Sequence, residues 1–313
     1  MRAPTTPEHS LAVAGLKVLE ADAHSRYKAA VAAGKQMGWG FFFPYLLAQN
    51  KPGRSAILFS EDEGSICLFR STVKAARPRL DLYTLPVPLS IPALRRCLER
   101  ANDFNADHSA RVLRIDAKDA EALAGVPELT TVVRRKQYIY EPGAYKELAG
   151  KSFATIRRQL SRVEKRKGVE VAPFSTEHLD GCKALLKGWS RTYRKAKGSG
   201  GAVRLSRRAL ELAEKLPAGE LVGEVVLYRG RVVAYALGGE IRPGLACSFE
   251  RKADNRMRGL PYFQLRSFLL SLRSFEKVND GSDAGRKGLR QIKNSFRPVE
   301  MHTEYRATQK DAG

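Results

Sequence analysis

Apolar residues recur at helical spacing from Leu11 to Ala33, so the first forty residues predict a ragged lead-in with one amphipathic helix. The pattern then shortens. Ala56-Ile57-Leu58-Phe59 and Ile66-Cys67-Leu68-Phe69 flank the polar turn Glu61-Asp62-Glu63-Gly64 and predict a hairpin. A helix over Ile91 to Phe104, a strand over Val112 to Ile115, a short helix near Ala117 to Ala124 and a strand over Gln137 to Tyr140 come next.

The second half carries the stronger pattern. Ser152 is placed to cap a helix that runs to about Lys167. Phe153, Ile156, Leu160 and Val163 recur on one face of it, Arg158, Arg162, Lys165 and Arg166 line the opposite face, and Arg157 sits on the flank. Residues 194–204 form a basic, glycine-rich stretch that predicts a mobile loop. Next comes a hairpin of Glu224 to Leu227 and Val232 to Leu237, turning across Arg229-Gly230-Arg231. A strand over Leu245 to Arg251 leads through a polar turn into a helix over Tyr262 to Phe275. A short strand over Phe275 to Val278, a helix around Lys287 to Ser295 and a strand near Glu300 to Tyr305 complete the half. Hairpin, strand, turn, helix, strand, helix, strand is the order of the second part of a GNAT acyltransferase, and the first half reads in similar terms. The expected fold is α/β (α+β), with tandem GNAT-like acyltransferase domains over residues 1–135 and 136–313.

Composition narrows the function. A chain of 313 residues with 43% apolar content can bury two cores and shows no sequence repeat. Cys67, Cys97, Cys182 and Cys247 lie too far apart for a metal or redox motif, and with no leader pattern they read as buried thiols in a reducing cytoplasm. The longest apolar run, from Phe41 to Ala48, is far short of the ~20 residues that span a bilayer, so no transmembrane segment is expected. The net charge of +22 still leaves room for peripheral contact with the inner face of a membrane.

That charge is clustered. Residues 131–208 hold 20 basic and 6 acidic residues, while residues 1–130 hold 17 and 14. Solubility alone does not require such clustering, and on the helix after Ser152 Glu164 is the only acidic residue among the outward cations. Like charges packed this closely repel, so a polyanionic partner is the economical explanation, with nucleic acid favoured over lipid headgroups.

Other motifs are weaker. The turn Arg256-Met257-Arg258-Gly259-Leu260-Pro261 occupies the place where GNAT enzymes offer backbone N–H groups to a pyrophosphate, but Pro261 removes one donor. It remains a candidate anion site through Arg256, Arg258 and Gly259. Gly150-Lys151-Ser152 lacks the upstream glycine of a phosphate-binding loop, having Tyr145 in its place. The five histidines form no pair at metal spacing and no Gly-x-Ser-x-Gly elbow is present, so a metal or triad hydrolase is not expected.

Three runs carry a family resemblance. They are Leu148 to Lys151 with Ile156 to Glu164; Phe249-Glu250-Arg251-Lys252-Ala253-Asp254 with Arg258-Gly259; and Gly288-Leu289-Arg290-Gln291-Ile292-Lys293-Asn294-Ser295-Phe296-Arg297-Pro298. The last matches the Gly-Leu-Arg-x-x-Lys-x-x-Phe-x-Pro pattern of the phosphatidylglycerol lysyltransferases and is the most specific. From about residue 137 to 306 the chain resembles the catalytic domain of that family. The resemblance implies a tandem GNAT fold related to the Fem-type aminoacyltransferases, and transfer of an amino acid from aminoacyl-tRNA to a hydroxyl or amine acceptor. The chain shows no counterpart of the multi-span membrane portion of the lipid-modifying members. A small-metabolite acceptor therefore stands beside a phosphatidylglycerol-type lipid.

An aminoacyl ester is already activated, so this chemistry calls for no cofactor and no metal. It needs orientation of two substrates and a cation for the negative charge that develops in transfer. Lys293 is the candidate cation, with Arg290 as neighbour or phosphate clamp. Glu250 and Asp283 are candidates for holding the amino acid's ammonium or polarising the acceptor. Arg157, Arg158, Arg162, Lys165 and Arg166 are expected to bind tRNA. Two alternatives stand beside this reading: an acyl-CoA-dependent GNAT N-acyltransferase, and a non-catalytic RNA- or membrane-associated GNAT relic.

Overall fold

The computed structural model describes residues 15–51, 53–74, 77–193, 199–217 and 219–310. Its elements begin with β1 (Lys17–Val18), α1 (His24–Ala33), α2 (Phe43–Leu47), β2 (Ser55–Asp62), β3 (Ser65–Lys74) and β4 (Arg77–Thr84). They continue with α3 (Ile91–Asn105), β5 (Arg111–Asp116), α4 (Ala117–Ala122) and β6 (Leu129–Tyr140). Then come α5 (Ala154–Glu164), β7 (Val169–Pro173), α6 (Leu179–Tyr193), α7 (Ser199–Lys215), β8 (Val222–Tyr228) and β9 (Arg231–Arg242). The chain closes with β10 (Leu245–Ala253), α8 (Leu260–Ser271), β11 (Lys277–Asn279), α9 (Lys287–Ser295) and β12 (Glu300–Gln309). Two compact units result, one of residues up to 136 together with those from 302 onward, the other of residues 137–301.

Strands of the first unit run in the order β1-β2-β3-β4-β5-β12-β6. β4 and β5 are parallel, with Leu82 opposite Val112 and Thr84 opposite Arg114, and their outer neighbours β3 and β12 run antiparallel to them. α3 shows why the helices form where they do. Ser90 Oγ accepts from the Ala93 N–H at 3.3 Å, and Pro92 falls in the first turn, where its missing N–H costs nothing. Leu94, Cys97, Leu98 and Ala101 then recur on the buried face against Leu80, Leu82 and Val112, while Arg95, Arg96, Glu99 and Arg100 face outward. Each buried leucine on that stripe contributes roughly 1.5–3 kcal/mol.

The expected helix from Leu11 is corrected here. Its first residues, Leu11 to Ala14, lie outside the described residues, and the chain beyond them forms β1, a short 3₁₀ turn and α1. Nor is this segment a ragged lead-in. Leu16, Leu19, Ala23, Tyr27 and Val31 are buried, and the Leu19 N–H donates to the Ile57 carbonyl at 2.8 Å.

In the second unit the order is β6-β11-β10-β9-β8-β7. Ala236, Ala246 and Val278 of the sheet pack against Ile156 and Leu160 of α5, Leu265, Phe268 and Leu269 of α8, and Phe296 just after α9. The other sheet face meets α6 and α7; a Cβ on Gly181 of α6 would stand 2.5 Å from Val232 Cγ2.

Two expectations fail in this unit. Ser152 does not cap α5; a 3₁₀ turn over Lys151–Phe153 precedes it, and the helix begins at Ala154 without a side-chain cap. It ends at Glu164, so Lys165 to Lys167 belong to the turn before β7. Residues 199–204 are not loop but the first turns of α7; 194–198 lie outside the described residues. α7 survives its glycines because Ser206, Ala209 and Leu210 are fully buried, and packing outweighs a propensity cost of about 1 kcal/mol per glycine.

Candidate active site

β10 and β11 lie side by side only where Leu245, Ala246 and Cys247 face Lys277, Val278 and Asn279. β10 continues to Ala253 while β11 stops at Asn279, so the two strands part at their C-terminal ends. In open α/β sheets that is where ligands enter, because backbone and side chains are no longer taken up by the neighbouring strand.

Asp280, the first residue beyond β11, sits in this opening. Its carboxylate accepts from Arg251 Nη2 of β10 at 3.0 Å and from Lys293 Nζ of α9; the same ammonium also donates to the Asp280 main-chain carbonyl. The Asp280 and Lys293 side chains are 1% and 2% exposed. Lys293 is carried inward because Phe296 anchors its helix in the core, and two tyrosine hydroxyls take up carbonyls at the helix end. Tyr140 donates to the Lys293 carbonyl at 2.9 Å and Tyr145 to the Phe296 carbonyl at 2.7 Å.

Burial pulls the Lys293 ammonium below the ordinary lysine range, with Asp280 opposing the shift. Burial alone would raise the Asp280 carboxyl, but Arg251, Lys293 and Ser248 together hold it below the usual carboxylate range. Two cations thus face one carboxylate in a nearly dry setting. Tyr138 closes this side, its ring centre 5.3 Å from Lys293 Nζ and its hydroxyl donating to Asp283 Oδ2 at 3.0 Å. Asp283 also accepts from Arg290 Nε at 2.6 Å and from the Gly285 N–H at 2.8 Å; Arg290 foremost keeps its carboxyl low.

Side chains alternate along β10, so Glu250 and Lys252 face α6 and α7 while Arg251 faces Asp280. Glu250 is paired with Lys252 and accepts from Ser206 Oγ of α7 at 2.8 Å. Lys252 Nζ lies 4.9 Å and the Arg286 guanidinium 6.0 Å from the ring centre of Trp189 on α6. Trp189 forms one wall of a cavity of about 750 Å³, lined also by Gly181, Gly188, Val232, Asp254 and Arg256.

The structure therefore brings Lys293, Arg290 and Asp283 together on one side of β10 and puts Glu250 on the other. Arg158 and Arg162 of α5 and Lys165 and Arg166 of the turn after it are exposed, and Ile156 and Leu160 of α5 share a core with Phe296. Arg157 donates to the carbonyls of Leu148 at 2.6 Å and Gly150 at 2.7 Å. Arg256 is tied to Asp254 and Arg258 is exposed. Gly259, at φ +89°, has its own packing reason, since a Cβ there would stand 2.2 Å from the Gln159 carbonyl oxygen of α5. Sequence reasoning missed Asp280, Arg251, Tyr138, Ser206, Lys252 and Trp189. The one signal available for Asp280 was an acid closing a buried strand just ahead of the helix that carries Lys293.

The family model for "Phosphatidylglycerol lysyltransferase, C-terminal" matches residues 88–308. No curated protein matches the chain. Among solved structures, a conserved protein of unknown function from Bacteroides thetaiotaomicron VPI-5482 superposes with a TM-score of 0.76 at 20% identity, covering 94% of this chain and 99% of its own. L-PGS from Bacillus licheniformis does so with a TM-score of 0.66 at 16% identity, covering 95% and 94%. A tandem GNAT protein from the clavulanic acid biosynthesis pathway aligns over 95% of this chain and 99% of its own at 11% identity, with a TM-score of 0.50. The fold is that of tandem GNAT-like acyltransferases. Among the described residues no helix is long and apolar enough to cross a membrane.

Proposed function

The chain belongs to the phosphatidylglycerol lysyltransferase C-terminal family, a transferase family, and from that premise we propose that it moves an amino acid from aminoacyl-tRNA to a hydroxyl or amine acceptor. The acceptor is a phosphatidylglycerol-type lipid or a small metabolite. One observation carries the reading: Lys293, Arg251 and Asp280 form a buried cluster with an excess of positive charge where β10 and β11 part.

In the transfer, the acceptor oxygen or nitrogen attacks the ester carbonyl carbon and the carbonyl oxygen takes up the electron pair. Collapse of that intermediate breaks the bond to the ribose oxygen, which ends with the proton the acceptor gives up. Lys293 keeps one N–H that Asp280 does not use, and in its low-dielectric surroundings it stabilises the oxyanion far more than an exposed lysine could. Its lowered pKa also eases proton donation to the departing ribose oxygen. Arg251 and Asp280 position it. Asp283 and Glu250 are the acids in reach for the donor's ammonium or the acceptor, with Arg290 between the site and a phosphate.

Outward cations at Arg158, Arg162, Lys165 and Arg166 supply a surface for the tRNA backbone on the same sheet face as Lys293. An aminoacyl-tRNA donor places the reaction in the cytoplasm. The packing of Gly259 against Gln159, with Pro261 in the first turn of α8, argues against the acyl-CoA alternative at that turn.

The test is discharge of a pool of radiolabelled aminoacyl-tRNAs in the presence of lipid and metabolite extracts, with acetyl-CoA as competitor. Label should pass from tRNA to one extract without interference from acetyl-CoA. Label that stays on every tRNA, beside acetyl transfer from acetyl-CoA, would favour the acyl-CoA enzyme.

A further inference from the structure

The first unit holds a charge cluster that the transfer reaction leaves unused. Arg114, on β5 of the parallel pair β4/β5, has a side chain only 6% exposed. Its Nη1 donates to Glu304 Oε2 at 2.8 Å and its Nη2 to the Tyr45 hydroxyl at 2.5 Å. The rings of Tyr45 and Tyr83 lie 5.2 Å and 5.3 Å from the same guanidinium. Glu304 Oε1 faces two further arginines of β6, pairing with Arg134 and with Arg135 Nε at 3.2 Å.

Three guanidiniums therefore converge on one carboxylate. Among the described residues Arg134 and Arg135 have no other acidic partner, and their side chains are 25% and 34% exposed. Arg114 alone balances the charge of Glu304, so Arg134 and Arg135 are both in excess and the third cation adds repulsion in a half-buried place. Burial, with Arg134 and Arg114 adding to it against Glu304, pulls the Arg135 guanidinium below its ordinary range. Such a surplus is destabilising unless an anion offsets it.

We propose that this cluster is an oxyanion site of the first unit that takes a phosphate group, bound by the N–H donors of Arg134 and Arg135 that Glu304 leaves unused. Guanidinium forks match phosphate oxygens two at a time, and a phosphomonoester brings close to two negative charges against the surplus. Tyr45, backed by Trp39 at a ring separation of 4.3 Å, gives the site a rigid aromatic wall. The phosphate comes from a lipid headgroup or from a free phosphoester, and the site stands whether or not the second unit transfers amino acids.

The experiment measures thermal unfolding of the full chain in chloride and in inorganic phosphate at matched ionic strength, for wild type, Arg135→Gln and the control Arg95→Gln. Phosphate should raise the midpoint of wild type and control. Arg135→Gln should unfold at or above the wild-type midpoint in chloride, because it removes a surplus cation, and should lose the phosphate shift. Calorimetry should show its affinity for phosphate reduced at least about 10-fold, as expected for loss of charge-assisted hydrogen bonds. A variant that is destabilised in chloride would mark Arg135 as a structural clamp and overturn the proposal, as would a wild type that phosphate protects no better than chloride. Arg135-dependent binding of glycerol 3-phosphate identifies a free phosphoester. The same dependence seen only with phosphatidylglycerol vesicles, against phosphatidylcholine vesicles, identifies a headgroup. If only tRNA binding responds to the substitution, the site belongs to RNA and the proposal fails.

Discussion

Lys293 and Asp280 hold each other twice, the ammonium donating to both the carboxylate and the main-chain carbonyl of Asp280, in a place closed to solvent. A pair like this is costly to break from one side, because the surviving charge is left buried. In Asp280→Asn, Lys293 and Arg251 would face each other without their shared anion. The substitution should lower the free energy of unfolding by about 3–5 kcal/mol, measured by urea denaturation. A loss under about 1 kcal/mol, the level of an exposed pair, would show that the cluster is not sealed as described.

Glu224 of β8 gives a pH dependence unrelated to transfer. Ser267 Oγ donates to one carboxyl oxygen at 2.8 Å, the other is buried without a partner among the described residues, and burial pushes its pKa from 4.5 to about 7. A carboxyl whose pKa is raised on folding stabilises the fold below its unfolded value and loses that contribution as pH climbs through about 7. The loss amounts to about 3 kcal/mol once both states are ionised. Glu224→Gln should therefore be more stable than wild type at pH 8, and the gap should close by pH 5. Parallel stability–pH curves for the two proteins would count against it.

The outward cations of α5 and of the turn that follows it make a salt-dependence prediction. Reversing Arg158, Arg162 and Arg166 to Glu should weaken tRNA binding and reduce the slope of log K against log salt by about 2–3. Filter binding across a salt series measures both. An unchanged slope would place the tRNA elsewhere.

Gly259 links the same helix to α8. In Gly259→Ala the new Cβ meets the Gln159 carbonyl oxygen at 2.2 Å, and the residue must also hold φ +89°. The variant should lose about 1–3 kcal/mol of stability, read from thermal unfolding. A neutral effect would mean that the α5–α8 contact yields easily.

Much of this architecture was legible where a stripe of apolar residues met a clear boundary. α9 spans Lys287–Ser295, as its periodicity predicts, and α3 overruns its expected end by one residue. β4 escaped because Pro78 weighs against a strand and only Leu80 and Leu82 mark its apolar face; Asp81, on the opposite face, is buried because Arg79 and Arg111 pair with it. β7 escaped because it is an edge strand with Glu170, Val171 and Pro173 all exposed, so it has no apolar face to recognise. The candidate site was legible in part. Lys293 and Arg290 lie on a recognisable run with Asp283 shortly before it, whereas Arg251 and Tyr138 reach Lys293 only through strand pairing. No local pattern reports a contact made across a sheet.

The most direct measurement is single-turnover transfer from the aminoacyl-tRNA that the wild-type protein discharges, comparing wild type with Lys293→Ala at equal folded concentration. Removing the buried cation should slow transfer by ~10²- to 10³-fold while tRNA affinity stays close to wild type. A variant that transfers at the wild-type rate would contradict a role for Lys293 in the chemistry, and a wild type that discharges no aminoacyl-tRNA would contradict the proposed reaction itself.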